Sequence, residues 1–167
     1  MNTIAVQTFE TPFGELLIGA CQDRLCLCDW RFRKMRERID QRIRQGLKAA
    51  YEERDDPLLS EARRQLDEYF RGERKNFDLP LSFVGTDFQQ RVWNALLQIP
   101  YGETRSYAEL AQQANAPASV RAVGTANGAN ALSIVAPCHR VIGSDGRLAG
   151  YAGGTAVKRK LLELEKA

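Results

Sequence analysis

Histidine is almost absent: among 167 residues there is one, His139. That scarcity argues against a zinc centre. Cys21, Cys26 and Cys28 are clustered, but no second cysteine pair and no further imidazole completes a four-ligand set. A disulfide framework is not expected either, because a cytosolic chain keeps its thiols reduced. The three cysteines lie in apolar strand-like segments and read as small buried hydrophobes. The only other cysteine is Cys138. Long apolar runs are missing as well. None reaches the roughly 18 residues of a spanning helix, so no membrane span is expected. The N-terminus, Met1-Asn2-Thr3-Ile4-Ala5, has no basic segment followed by an apolar one, so no signal peptide is read and the cytosol is the default compartment. Nor is there a large excess of one charge. The 24 basic and 21 acidic residues leave a net of +3, so clustering of cations matters more than their total.

The chain does have the makings of folded structure. Hydrophobic residues make up 44% and charged residues 27%, which favours a globular chain over a disordered one. Its length allows one ordinary domain or two small ones. Thr3–Glu10 alternates apolar and polar residues, Thr11-Pro12-Phe13-Gly14 has turn composition, and Glu15–Cys21 and Leu25–Trp30 are apolar segments parted by Gln22-Asp23-Arg24. Together they predict a β-meander, with helices after it. Phe32, Met35, Ile39, Ile43 and Leu47 recur at helical steps. The opposite face of that helix carries Arg33, Lys34, Arg36, Arg38, Arg42 and Arg44. With Glu37 and Asp40 interspersed and no aromatic among them, it reads as a solvated face rather than a nucleic-acid patch. A second helix has Asp56 as cap, Pro57 in the first turn, an inner stripe of Ala62, Leu66 and Tyr69, and Gly72 at its end. The polar stretch beyond it places a domain boundary near 80–85, giving an N-terminal α/β domain over 1–82 and a second domain over 83–167.

The second half opens on a capping box, Thr86 with Gln89, followed by Phe88, Val92, Leu96 and Ile99 at helical period. Pro100-Tyr101-Gly102 breaks that helix. Ser106 and Glu109 form another capping box, opening a short helix to about Gln113. After Asn115-Ala116-Pro117 comes a further short helix, about Ala118–Asn127, with Val120 and Val123 turned inward and Gly128 just past its end. Two short helices joined by a tight turn make a helix-turn-helix candidate. A last helix is predicted from Val157, Leu161 and Leu164.

Between these helices lies the segment with chemical potential. An apolar run, Leu132–Ala136, leads into Pro137-Cys138-His139-Arg140-Val141. A thiol is a good nucleophile only as thiolate, and few thiols ionise unaided at neutral pH. An adjacent imidazole or cation raises that fraction. In an extended segment, however, the side chains of Cys138 and His139 point to opposite sides, so cooperation needs a turn or a bridging water.

Pro137-Cys138-His139-Arg140-Val141 resembles the active-site signature of the O6-alkylguanine-DNA alkyltransferases, also called methylated-DNA–protein-cysteine methyltransferases. The resemblance extends to Phe88-Gln89 with Val92-Trp93, Ser106-Tyr107, Arg121-Ala122-Val123-Gly124, Asn130, Gly150-Tyr151-Ala152-Gly153-Gly154, and Leu161-Leu162 with Glu165. In the first half it is looser, through Thr11-Pro12-Phe13-Gly14 and the meander. It implies a ribonuclease-H-like N-terminal domain and a mainly helical C-terminal domain with a winged helix-turn-helix-like motif. It also implies double-stranded DNA containing O6-alkylguanine, with O4-alkylthymine as a further substrate to test, as the partner of a monomer acting in the cytoplasm at the nucleoid. No metal or organic cofactor is implied, and the zinc site of some relatives does not carry over.

Residue by residue, the resemblance makes Cys138 the acceptor of the alkyl group in a single turnover. His139 is its base through a water, and Glu165 orients His139. Asn130 braces the cysteine loop. Tyr107 donates to N3 of the flipped guanine, and Arg121 enters the stack where the base leaves. Tyr151, the N–H of Ala152 and the C=O of Val141 line the base pocket. The small residues Ala122, Gly124 and Ala126 let their helix approach the minor groove. The chain departs from the family pattern at Ala131, where proline is common, and at Ala136, where a larger aliphatic is common. Two other function classes stand beside this one. A protein that binds alkylated bases without reacting would lack the cysteine, whereas a hydrolase with a Cys138–His139 dyad would turn over repeatedly.

Overall fold

The alternating N-terminal segment forms β1 (Thr3–Thr11), which turns back through Pro12-Phe13 into β2 (Gly14–Cys21). Thr11 Oγ1 closes this turn, accepting from Phe13 N at 3.1 Å and donating to Gly14 O at 2.6 Å. The next turn places Gln22 and Asp23 at φ 52° and 61°, the left-handed pair that suits the twist of a tight hairpin. It leads into β3 (Arg24–Trp30). The structure, a computed structural model, describes residues 2–148 and 150–167.

After β3 the chain forms α1 (Arg36–Leu47), β4 (Ala50–Glu53) and α2 (Pro57–Phe70). The sheet order is β3-β2-β1-β4, with β4 parallel to β1 and the other pairs antiparallel. Strand β4 departs from the expectation of helices alone after the meander. Its sequence, Ala-Tyr-Glu-Glu, has no apolar alternation. It is an edge strand, where polar and charged side chains are tolerated because one side faces solvent. Burial of Ile39 and Ile43 on α1, and of Leu59, Ala62, Leu66 and Tyr69 on α2, closes the core over Ile4, Leu16, Ile18, Leu25 and Leu27. Asp56 caps α2, accepting from Leu58 N at 2.8 Å.

Two expectations for α1 need correction. Phe32 is 79% exposed, because the helix begins only after Met35 and Phe32 therefore lies off the helical stripe. The basic face is also not uniformly solvated. Arg33 and Arg36 both pair with the wholly buried Asp29, at 2.9 and 3.0 Å, and Arg42 donates to Val84 O at 2.9 Å. Buried cations of this kind neutralise a buried carboxylate instead of facing water.

The chain divides into two compact units between Gly85 and Thr86. The strap before the division belongs to the first unit. Leu25 N donates to Pro80 O at 2.8 Å and Ser82 N to Leu25 O at 2.9 Å, and the expected boundary after residue 82 falls within this strap.

The second unit starts with α3 (Asp87–Leu96), whose Thr86–Gln89 capping box is complete. A two-residue strand β5 (Arg105–Ser106) runs into α4 (Tyr107–Gln113), opened by the Ser106–Glu109 box. Then come α5 (Val120–Gly128), a single 3-10 turn over Cys138–Arg140, β6 (Val141–Ile142) and α6 (Thr155–Lys166). Strand β6 pairs in parallel with β5, Val141 opposite Arg105. Trp93 Nε1 donates to Ala126 O at 2.8 Å and so pins α5 to α3. Helix α5 starts later than the periodicity suggested, which leaves Val120 in the first turn and 37% exposed instead of inward. Gly128 is the last residue of that helix, with Ala129 as cap.

Among the described residues, no helix is long and apolar enough to cross a membrane.

Candidate active site

The loop between α5 and β6 is the most deeply buried stretch of the second unit: every residue from Ala129 to Val141 is buried. Such a loop must satisfy its own polar backbone, and Asn130 does part of this. Its Nδ2 donates to Ala136 O at 2.9 Å while its Oδ1 accepts from Leu132 N at 3.0 Å. One side chain thus ties both ends of the apolar run. Within the run, Ala136 N donates to Leu132 O at 2.8 Å. Ile134 adopts φ 72°, a costly conformation for a β-branched residue that the surrounding hydrogen bonds must hold in place.

The run delivers Pro137 to the 3-10 turn Cys138–Arg140. An extended segment would have sent Cys138 and His139 to opposite sides, and the turn removes that objection. Cys138 is 5% exposed and His139 not at all. Proline's fixed φ favours the start of such a turn.

His139 and Arg140 converge on Glu165 of α6. The His139 Nε2–Glu165 Oε2 distance is 2.7 Å. Arg140 Nε donates to Oε1 at 2.8 Å and Nη2 to Oε2 at 3.1 Å. Arg140 Nη1 also donates to Ile99 O at 2.6 Å, fixing the guanidinium to the turn that follows α3. Gly102 N approaches Oε1 at 3.4 Å. This glycine sits at φ 81°, where a Cβ would come within 3.3 Å of Glu165 O.

The electrostatics follow from this packing. Burial pushes the Glu165 carboxyl upward, but His139 and Arg140 outweigh it and hold the group at about 2. Burial pulls the His139 pKa below its usual value, against the attraction of Glu165. Glu165 is therefore ionised and His139 neutral at pH 7. An ionised carboxylate can only accept, so the imidazole proton resides on Nε2 and Nδ1 carries a lone pair. Nδ1 has no hydrogen-bond partner among the described residues.

Tyr107, at the head of α4, is half-buried. Burial and the charge of Cys138 raise its pKa, and a hydrogen bond from Asn127 opposes them. Lys158 of α6 is wholly buried, and burial lowers its pKa while Cys138 counteracts the shift. On α5, Arg121 and Ala122 are exposed. Gly124 lies against the Tyr107 ring. Ala126 is not exposed with Ala122: it is 3% exposed, and its carbonyl accepts from Trp93 Nε1. Val141 is buried in β6, and Tyr151 lies edge-on to His139 with ring centroids 6.4 Å apart. Ala152 follows it in the same half-buried loop.

The structure thus gathers Cys138, His139, Glu165, Asn130, Tyr107, Val141 and Tyr151 about one buried turn, with Arg121 and Ala122 on an outer helix face. Sequence reasoning gave no role to Arg140, Lys158 or Asn127. It read the inner stripe of α6 from Val157, Leu161 and Leu164, whereas the buried residues are Lys158, Leu161 and Glu165. Their spacing is equally helical, but two of the three are charged and so invisible to a hydrophobic pattern. Cys21, Cys26 and Cys28 are buried free thiols of the sheet. Burial raises the Cys26 thiol to about 12 and the Cys28 thiol further. Among the described residues, no group of three or more His, Cys, Asp or Glu is placed to hold a metal ion.

An α/β unit followed by a helical unit, the latter presenting a helix-turn-helix beside a buried Cys–His–Glu cluster, defines a class of two-part proteins with a cysteine centre. Comparison narrows that class. Residues 4–83 match the family described as 6-O-methylguanine DNA methyltransferase, ribonuclease-like domain, and residues 87–167 its DNA binding domain. The chain belongs to the 6-O-methylguanine DNA methyltransferase family. It is 49% identical over 160 residues to the constitutive methylated-DNA–protein-cysteine methyltransferase of Bacillus subtilis, covering 95% of this chain and 93% of that one. A relative of the same name from Methanosarcina acetivorans is 44% identical, covering 94% and 95%. The crystal structure of Mycobacterium tuberculosis OGT in complex with DNA superimposes with a TM-score of 0.82 at 44% identity, covering 97% of this chain and 92% of that one.

Proposed function

We propose that this protein repairs double-stranded DNA by moving the alkyl group of O6-alkylguanine irreversibly to Cys138 Sγ, once per molecule. The observation that carries this reading is the 3-10 turn that sets Cys138 beside a neutral, buried His139 locked to Glu165.

The target carbon is hidden in a base pair, so the nucleotide must first leave the stack, at a cost of a few kcal/mol. Arg121 is an exposed cation in the first turn of α5. It fills the gap left by the base, while phosphate contacts supply affinity. The Cys138 thiol passes its proton through a water to the free lone pair on His139 Nδ1. Glu165 stabilises the imidazolium that results, and Arg140 keeps Glu165 ionised throughout. The buried Lys158 ammonium, within electrostatic reach of Cys138, favours the thiolate. Sulfur then attacks the alkyl carbon. The S–C bond forms, the C–O6 bond breaks, and the electron pair goes to the purine. Tyr107 donates to purine N3 as negative charge develops there. Val141 C=O, the N–H of Ala152 and Tyr151 frame the base. The product is a thioether, which water does not cleave, so the protein is spent after one event. The scheme uses no metal or organic cofactor. The protein acts as a monomer, in the cytoplasm wherever the damaged DNA lies.

Intact-mass measurement after mixing with duplex O6-methylguanine DNA tests the reading. One methyl should appear on Cys138, and repaired guanine should plateau at one equivalent. Repair of several equivalents per protein would identify a hydrolase instead. Cys138→Ala should abolish transfer yet bind alkylated DNA within about tenfold, roughly 1.4 kcal/mol. A larger loss of binding would make Cys138 chiefly structural.

A further inference from the structure

Asn127 has no part in the chemistry described above, yet its surroundings are unusual. It lies on α5 and is 6% exposed. Its Oδ1 is buried with no hydrogen-bond partner among the described residues. Orphaned acceptors of that kind are costly and uncommon.

The ring of Tyr107 explains the placement. A Cβ built on Gly124 would sit 3.6 Å from Tyr107 Cδ1 and 3.7 Å from Cε1, so the ring lies against α5 at that position. Residues at i and i+3 share a helix face, and three residues beyond Gly124 is Asn127. The Asn127 amide lies within hydrogen-bonding reach of the phenol hydroxyl and acts on it as a donor does, favouring its ionised form. Because Oδ1 is the atom without a partner, the donor in this pair is Nδ2–H and the acceptor is Tyr107 Oη. Helix α5 cannot easily shift the amide away, since Ala126 O, one residue before, is fixed by Trp93 Nε1 at 2.8 Å.

A phenol has one proton and two lone pairs. With Asn127 donating to a lone pair, the proton of Tyr107 is left for another acceptor and is directed away from α5. We infer that Asn127 is a positioning residue for alkyl transfer: its amide donates to Tyr107 Oη, aims the single phenolic proton at the departing purine, and stabilises the charge that the phenol oxygen gains as it shares that proton. The inference rests on the proposed donation from Tyr107 to the base. A side chain longer than alanine's at position 124 would meet the Tyr107 ring.

The test is a double-mutant cycle on single-turnover transfer from duplex O6-methylguanine DNA, with Asn127→Leu and Tyr107→Phe made singly and together. Leucine matches asparagine in shape but cannot donate. Asn127→Leu should slow transfer about tenfold in the natural background and less than about twofold in the Tyr107→Phe background, since one hydrogen bond that strengthens in the transition state is at stake. Alkylation of Cys138 by iodoacetamide serves as the second measurement. Its iodide leaves without a proton, so Asn127→Leu should change that rate by less than about twofold. Equal slowing in both backgrounds, no slowing in either, or a matching loss with iodoacetamide would each overturn the assignment and make Asn127 a packing residue. If Tyr107→Phe alone leaves transfer unimpaired, the acid role of Tyr107 fails first and the inference falls with it. That result is distinguishable from failure at Asn127 alone.

Discussion

Arg140 grips Glu165 through one edge of its guanidinium, Nε to Oε1 at 2.8 Å and Nη2 to Oε2 at 3.1 Å. Its sequence neighbour His139 shares Oε2 at 2.7 Å. In a 3-10 turn successive side chains are rotated by about 120°, which lets adjacent residues reach one carboxylate from two directions while Cys138 remains on a third. The carboxylate is buried, and His139 and Arg140, with Gly102 N, stand where water would otherwise be.

Removing the guanidinium should therefore be costly. In Arg140→Met, Glu165 keeps its burial but loses its bidentate partner and the tie to Ile99. Breaking one side of a buried pair costs about 3–5 kcal/mol. Urea unfolding should show a loss in that range. A loss below about 1 kcal/mol would mean that solvent or another cation replaces Arg140 readily.

Acid should destabilise the second unit by the same logic. Glu165 is held at about 2, below its ordinary value of 4.5, so the folded state binds fewer protons than the unfolded state between those values. Its contribution is complete above pH 4.5 and disappears as pH falls toward 2, a change of about 3 kcal/mol. His139 works in the same direction at higher pH. Its folded pKa lies below 6.5, so stability starts to fall once pH drops beneath 6.5. Denaturation midpoints between pH 7.5 and 3 should decline in the natural protein. In Glu165→Gln the acid limb should be flatter; an unchanged limb would remove Glu165 as its source.

The same cluster marks how far the sequence could be read. The meander, both capping boxes and the Asp56 cap were legible, because each depends on residues close in sequence. The family resemblance singled out Cys138, His139 and Glu165, and the structure brings His139 and Glu165 together at the turn that carries Cys138. Strand β4 was hidden, since its pairing with β1 is set by tertiary contact and its residues are polar. Lys158 and Arg140 were hidden for a related reason: buried charges mimic surface residues in any hydrophobic pattern, and only the fold reveals the partner. Asn127 gave no signal at all, because its role depends on where the Tyr107 ring lies.

Arg121 offers a separate test. It is exposed in the first turn of α5, and no part of the Cys138–His139–Glu165 geometry depends on it. Arg121→Ala should slow repair of duplex O6-methylguanine by at least about tenfold, in keeping with a few kcal/mol for base extrusion. Reaction with free O6-benzylguanine, which needs no extrusion, should change less than about twofold. Equal slowing of both would place Arg121 in support of the pocket.

The spent protein should be less stable than the fresh one. Cys138 is 5% exposed, Ala136 beside it is fully buried, and Asn130 ties the loop ends together. A methyl added to Sγ has little room unless the loop moves, and overpacking of this kind costs about 1–3 kcal/mol. Methylation also stops Cys138 from ionising, so the buried Lys158 loses an attraction that favours its charged form. Both effects act in one direction. Ala131 and Ala136 work against them, since each is smaller than the residue common at its position and leaves space for relaxation. The strain falls on the Ile134 backbone, already at φ 72°, and through Asn130 on the end of α5, which would loosen the grip on DNA. A loss of about 2 kcal/mol should lower the melting temperature by roughly 4–8 °C. Thermal melts before and after complete reaction with O6-methylguanine DNA, with the DNA removed, measure it. Restoring bulk with Ala136→Val should enlarge the drop. An unchanged or higher melting temperature after methylation would refute the packing argument while leaving the transfer chemistry intact.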